Sequence, residues 1–258
     1  MQTTIVTAYF ELPISKKNHG QYIEWMKNML LIQTPMVVFS DEKSKPVIQQ
    51  IRGNLPTHYI TIDFPDFYTY RYEMNFYEHQ TMDHEIFIGH NPQLYMIWNE
   101  KSHFLKRAAE TNPFQTEYFL WVDIGCFRNT NKSYLKWPNP EKVAQLEKGK
   151  MLMVQVYPFR LEELGAKWNA ESLHSFQYTN RIGGTMFGGT KGAIDKWHGK
   201  YYEMLEYFIR IDRFIGKDQS IMNSVYLCEP QLVQLISQWK EPRNGMSSEW
   251  FYMHDFLL

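Results

Sequence analysis

The sequence predicts an α/β fold in which a mainly parallel sheet is flanked by helices. Three observations carry this. The first third alternates β-rich and amphipathic stretches as β-α-β-α-β, the pattern of parallel strands joined by crossover helices. The run Tyr118-Phe119-Leu120-Trp121-Val122 is apolar at every position, as a strand buried on both faces must be. It closes on Asp123, where such a strand leaves the core, and in open α/β sheets the ligand crevice lies at the carboxyl ends of the strands.

The elements follow in chain order. Thr4 to Phe10 is β-rich and reads as the first strand, and Glu11 to Asn18, with Pro13 and two lysines, reads as a loop. Gly20 to Leu31 sets Tyr22, Ile23, Met26, Met29 and Leu30 at helical spacing, which gives one buried face. Pro35 to Asp41 is a short β-branched strand, Pro46 to Arg52 a helix stopped by Gly53, and Thr57 to Ile62 the third strand, followed by a turn over Asp63 to Asp66. Tyr68 to His90 is aromatic and polar with no clean period, suited to short helices and one wall of a cleft.

Asn91-Pro92 opens a helix running through Thr111, with Pro92 in the first turn, where its missing N–H costs nothing. Leu94, Tyr95, Ile97, Trp98, Phe104, Leu105 and Ala108 form its apolar side, with Lys101 and His103 among them. After the Asp123 strand come a polar loop from Thr130 to Pro140, a helix from Pro140 to Gly149 and a strand from Met151 to Val156. Glu162 to Ser175 is amphipathic, and Asn180 to Thr190 holds a short apolar strand bracketed by Gly183-Gly184 and Gly188-Gly189. Lys191 to Ile211 and Asp218 to Tyr226 are helices, Leu232 to Gln238 is a strand or a helix, and the tail from Glu249 to Leu258 is aromatic and carries His254.

A chain of 258 residues, 44% of them hydrophobic, has material for one large domain or two small ones, and its 8 Trp, 17 Tyr and 17 Phe leave rings for stacking on a flat ligand. A formal charge of -1 argues against nonspecific nucleic-acid binding and against a polybasic membrane anchor. The 2 cysteines, Cys126 and Cys228, are too few for a disulfide framework, which fits a reducing, cytoplasmic setting. The first ten residues lack a basic stretch followed by a long apolar one and read as a strand, not a signal peptide. No window approaches the roughly 18 apolar residues of a membrane span.

Walker loops, a GxGxxG after the first strand, zinc-ligand spacings, HExxH and the GxSxG elbow are all missing. What stands out is an order of short phrases: Thr4-Ile5-Val6-Thr7-Ala8-Tyr9-Phe10, Trp98-Asn99-Glu100-Lys101, Trp121-Val122-Asp123-Ile124-Gly125 and Gly216-Lys217-Asp218-Gln219-Ser220. Their order over nearly the whole chain resembles the HtrL/YibB-like family, whose sequences are grouped with GT-A-type glycosyltransferases. The resemblance implies a GT-A-like (Rossmann-like) mixed, mainly parallel sheet in a single domain over residues 1–258. Residues 1–128 would be the nucleotide-binding half and residues 129–258 the acceptor half. It implies a hexosyl- or pentosyltransferase moving a sugar from a nucleotide-sugar donor, UDP-linked by fold analogy, to a glycan acceptor.

Roles follow from the same resemblance, each beside a structural alternative. Asp123 corresponds to the strand-end acid that holds Mn²⁺ or Mg²⁺ on the donor diphosphate or meets the ribose; the alternative is a turn cap. Gly125 stands where the motif of the GT-A fold, usually Asp-x-Asp, has its second acid, which bears directly on metal binding. His254 resembles a late histidine that completes the metal shell, or is an exposed tail residue. Gly183 and Gly184 allow the backbone close to a sugar, or mark a bulge or turn. Asp218 is the candidate general base of an inverting transfer, beside Gln219, or a helix cap. Lys101 and Arg128 are the cations for the diphosphate, and Tyr9 is placed to stack on the base, or lies in the core. The rival classes are a catalytically degenerate carbohydrate-binding protein and a nucleotidyltransferase or sugar-nucleotide hydrolase.

Overall fold

The computed structural model describes residues 1–12, 19–128, 134–165, 169, 172–176, 179–238 and 249–258. Most of the loop expected at 11–18, part of that at 130–140 and part of the amphipathic 162–175 lie outside the described residues. The strands are β1 (Thr3–Tyr9), β2 (Met36–Ser40), β3 (Thr57–Thr61), β4 (Tyr118–Val122), β5 (Met151–Gln155), β6 (Ile182–Thr190) and β7 (Val233–Ile236). The helices are α1 (His19–Leu30), α2 (Lys45–Arg52), α3 (Glu73–His79), α4 (Pro92–Thr111), α5 (Pro140–Ala144), α6 (Lys191–Arg210), α7 (Asp218–Cys228) and α8 (Tyr252–Phe256).

The strands form one seven-stranded sheet in the order β3-β2-β1-β4-β6-β5-β7. It is mixed and mainly parallel: β6 runs antiparallel to both its neighbours, and every other pairing is parallel. The strands are apolar on both faces because both faces are covered. Val6, Phe119 and Trp121 pack with α4, α6 and α7 on one side, while Ile5, Leu120 and Val122 pack with α1, α2 and α8 on the other.

The segment left open between strand and helix is the edge strand β7, which pairs with β5 from Met151↔Val233 to Val154↔Ile236. The helix expected at 140–149 is shorter than its polarity pattern implies and ends at Ala144. The amphipathic stretch 162–175 contributes only a 3₁₀ turn at Leu161–Glu163 among the described residues. The stretch 68–90 does consist of short helices, α3 and several 3₁₀ turns. Among the described residues no helix is long and apolar enough to cross a membrane.

The chain leaves β1 toward β2 and β3, then returns to place β4 on β1's other side. That reversal opens a crevice at the carboxyl ends of β1 and β4, the usual ligand position in such sheets. Thr7 Oγ1 donates to Val122 O at 2.7 Å and clamps the two strands there.

Candidate functional site

Asp123 emerges from β4 into this crevice. Its backbone N–H donates to Thr185 O of β6 at 2.8 Å, and its Oδ1 accepts from Trp121 Nε1 at 2.8 Å. Lys101 reaches the same point from α4. Its Nζ lies 3.1 Å from Asp123 Oδ1, 3.1 Å from Asp218 Oδ2 and 2.9 Å from Gly184 O. Three distant segments, β4, β6 and the start of α7, therefore meet on one ammonium. Asp123 is the open member, with its side chain 31% exposed against 3% for Asp218.

Each charge contact at this distance is worth on the order of 5 kcal/mol at an effective dielectric near 20. Burial works against the Lys101 ammonium, but Asp123 and Asp218 outweigh it and lift its pKa above the ordinary lysine value. Burial also raises the pKa of Asp218; Lys101 opposes the rise and Asp123 adds to it. Asp218 Oδ1 accepts the Gln219 N–H at 2.9 Å, whereas Oδ2 touches the ammonium but has no aligned hydrogen bond.

The glycines serve this geometry. β6 slips its register against β5 between the pairs Met153↔Phe187 and Val154↔Gly183, so residues 184–186 have no partner on that side. A Cβ on Gly184 would lie 2.5 Å from Asp218 Oδ2, so only glycine lets the carboxylate sit against this strand. A Cβ on Gly183 would meet Val156 at 3.0 Å and Trp250 at 3.4 Å, so that glycine makes room for core packing.

Lys101 belongs to a run of four consecutive buried residues on α4, from Asn99 to Ser102, and Asn99, Glu100 and Lys101 are each tied to a different segment. Asn99 Nδ2 donates to Ile215 O at 3.0 Å, just ahead of Asp218, and Asn99 Oδ1 accepts from Tyr201 OH at 2.7 Å. Glu100 accepts the Tyr68 N–H at 2.9 Å and the Thr69 N–H at 2.8 Å, holding the wall that follows β3. Burial pushes Glu100 up to about 7 against these hydrogen bonds. The phrase Trp98-Asn99-Glu100-Lys101 marked all three residues, but a role followed only for Lys101, because the partners of the other two are remote in the chain.

The other expected residues fall around the loop after β4. Gly125 packs against α1: a Cβ there would lie 2.9 Å from the Tyr22 ring. Tyr9 is nearly buried and stacks on Tyr22 with ring centres 6.0 Å apart. Arg128 is exposed, with its guanidinium 4.2 Å from the Trp25 ring centre and 4.9 Å from that of Phe251, and its Nε 3.3 Å from Gly125 O. Tyr22, Trp25 and Phe251 were not singled out beyond the apolar face of α1 and the aromatic tail.

His254 is not an exposed tail residue. It is 3% exposed, its ring stacks on Phe127 at 3.9 Å, and its Nε2 faces Cys126 Sγ at 3.6 Å. The residues expected to hold Mn²⁺ or Mg²⁺ do not form an ion's shell. Asp123 is engaged by an ammonium and an indole N–H, the second acid's place faces the Tyr22 ring, and His254 is packed among aromatics. Elsewhere, Asp83, Glu85 and His90 place three ligand atoms within 4.8 Å of one another and could hold a metal ion. There Asp83 Oδ2 already pairs with His90 Nδ1 at 2.8 Å and Tyr95 OH at 2.7 Å, and Glu85 pairs with Lys217. A cavity of about 450 Å³ lined by Thr3, Gln33, Thr34 and Lys136 lies at the opposite, amino edge of the sheet, remote from this chemistry.

Fold and site together define an α/β protein with a charged cleft at the switch point of a mainly parallel sheet. The chain belongs to the family described as "Bacterial protein of unknown function (HtrL_YibB)", whose model matches residues 1–252. It is 22% identical over 262 residues to Protein HtrL of Escherichia coli (strain K12), across 90% of this chain and 87% of that protein. Among solved structures it is similar to apo mouse xyloside xylosyltransferase 1, at 9% identity and a TM-score of 0.47 over 97% of this chain and 94% of that one. It is also similar to 4-diphosphocytidyl-2C-methyl-D-erythritol synthase from Anaerococcus prevotii DSM 20548, at 9% identity and a TM-score of 0.45 over 99% of this chain and 96% of that one. At these scores neither structure lends its activity to this chain.

Proposed function

We propose that the protein is a glycosyltransferase that moves a sugar from a nucleotide donor to a carbohydrate acceptor. The observation that carries this reading is the meeting of Lys101, Asp123, Asp218 and the Gly184 carbonyl at the carboxyl end of β4, on its β6 side. Asp123, the exposed carboxylate, meets the donor's ribose or sugar hydroxyls. Arg128 faces the diphosphate as a planar donor fork. The uridine base rests on the resemblance to GT-A enzymes alone.

Asp218 is the base of an inverting transfer. Its Oδ2 rests on the Lys101 ammonium, yet burial outweighs that contact and raises its basicity, a property a proton acceptor needs. As Oδ2 takes the acceptor's proton, the hydroxyl oxygen bonds to the anomeric carbon and the nucleoside diphosphate leaves with the bonding pair. Asp218 is 2% exposed, so the acceptor has to approach past Asp123.

Thermal melting against a panel of nucleoside diphosphates and nucleotide sugars tests the reading. A ligand at a hundred times its Kd adds about 2.7 kcal/mol, a rise of roughly 5 to 10 °C. No shift with any nucleotide refutes a donor site. Where a donor binds and turns over, Asp218→Asn should cut kcat by about a hundredfold or more with donor Kd within about threefold. Wild-type turnover in that variant excludes Asp218 as base, and binding without turnover in the wild type points to a carbohydrate-binding protein.

A further inference from the structure

We infer that the donor site takes its diphosphate without a divalent metal ion: the Lys101 ammonium occupies the place beside Asp123 that an ion would need, and the Arg128 guanidinium supplies the positive charge for the phosphates. This rests on the glycosyltransferase reading above. Lys101 Nζ has oxygens of Asp123, Asp218 and Gly184 within 2.9 to 3.1 Å, and the second Asp123 oxygen at 3.4 Å. Four oxygens from three segments around one centre form a cation site, and the chain fills it with its own side chain. A divalent ion on Asp123 would have to sit beside that ammonium, and like charges at contact distance repel strongly in a partly buried site.

The second acid is missing for a steric reason as well as a chemical one. Gly125 backs onto the Tyr22 ring, whose nearest atoms lie 2.9 and 3.0 Å from where a Cβ would stand. Tyr22 is itself held by Tyr9 and Trp25, so the ring cannot give way cheaply. An aspartate at 125 therefore requires repacking of α1. Burial, with Asp123 adding, raises the Tyr22 hydroxyl's pKa, so the group that occupies this place is neutral.

Positive charge for the phosphates comes from Arg128. The side chain is exposed, yet Trp25 and Phe251 hold its guanidinium and Gly125 O accepts from Nε. Among the described residues it pairs with no carboxylate. A pre-oriented, unneutralised guanidinium beside a carboxylate-lined cleft is suited to bidentate phosphate recognition.

The test is calorimetric titration of UDP, CDP, GDP, ADP and TDP into the full-length protein, in EDTA and in excess MnCl₂. For whichever nucleotide binds, the two Kd values should agree within about twofold. Arg128→Ala should weaken binding about tenfold or more in both buffers, with Arg128→Lys in between. Gly125→Asp, alone or with Tyr22→Ala, should stay metal-independent as long as the Lys101 ammonium remains beside Asp123. Binding that is about tenfold tighter in Mn²⁺ for the unaltered protein overturns the inference and leaves the transferase reading standing. Unchanged affinity in Arg128→Ala overturns the phosphate assignment. Binding of no nucleotide in either buffer overturns the transferase reading, and this inference with it.

Discussion

Lys101→Met keeps most of the stem's volume on α4 and removes its charge. In the native protein the Lys101 side chain is 6% exposed and contacts two carboxylates at 3.1 Å, one of them 3% exposed. Each contact contributes on the order of 5 kcal/mol at an effective dielectric near 20, offset by the cost of burying the ammonium. Breaking a buried pair from one side leaves the partner's charge uncompensated and typically costs about 3 to 5 kcal/mol. For a chain of this size that is a fall in Tm of roughly 6 to 20 °C at neutral pH. The loss should also depend on pH with a defined sign. Asp218 is already raised by burial, and without the ammonium it rises further. The folded variant then holds a proton that the unfolded chain, with an Asp pKa near 3.9, releases. Its deficit is therefore greatest at neutral pH and shrinks as the pH falls toward about 4. Adding Asp218→Asn should recover part of the lost stability at pH 7. Circular dichroism melts from pH 4 to 8 measure all of this, and a Tm drop below about 2 °C at neutral pH would refute the account of Lys101 as the cation that holds the site together.

Gly184→Ala should cost about 1 to 3 kcal/mol in urea unfolding, because its Cβ would stand 2.5 Å from a carboxylate oxygen that Lys101 holds in place. An unchanged midpoint would mean that Asp218 can move freely. His103 Nδ1 and His198 Nε2 lie 3.1 Å apart between α4 and α6, and burial holds both histidines down at about 4. Their contribution is present above the unfolded value near 6.5 and is lost as pH falls toward 4, so His103→Gln should flatten the acid limb of a Tm profile. Glu100 works in the opposite direction: burial raises it to about 7, so its contribution is present below about 4.3 and lost as pH rises through 7. Glu100→Gln should therefore leave the histidines unopposed and steepen the acid limb; an unaltered slope would show that Glu100 does not hold its proton.

Much of this architecture was legible because it is local. Both-face burial wrote β4 as a continuous apolar run, and Asn91-Pro92 announced α4, where Asn91 Oδ1 accepts the Leu94 N–H at 3.0 Å. Asp123, Lys101 and Asp218 could be picked out one at a time, from a strand end, a phrase on a helix and a helix start. Their convergence could not, since Lys101 and Asp218 stand 117 positions apart; the Gly183-Gly184 pair did mark a bulge, and β6 slips its register there, but nothing local says that Gly184 O meets Nζ. Neither reading of His254, metal ligand or exposed tail residue, anticipated its burial: beside the local Phe251, the rings around it, Phe127, Tyr134 and Trp137, stand more than a hundred positions earlier. Asn99 and Glu100 stood in a phrase that drew notice but suggested no role of their own, because a side chain that satisfies a remote backbone leaves no periodicity.

The segment 249–257 is built into the cleft. Trp250 O accepts from Thr185 Oγ1 at 3.1 Å, Phe251 backs Arg128, His254 O accepts from Trp137 Nε1 at 3.2 Å, and Leu257 O accepts the Asn139 N–H at 2.8 Å. Arg128 is thus gripped between α1 and a segment more than two hundred positions further along the chain, by Trp25 on one side and Phe251 on the other. The strand pairings of the sheet do not depend on that segment, whereas the aim of the guanidinium does. Loosening 249–257 would therefore leave the scaffold standing and blunt the exposed cation on the loop after Asp123.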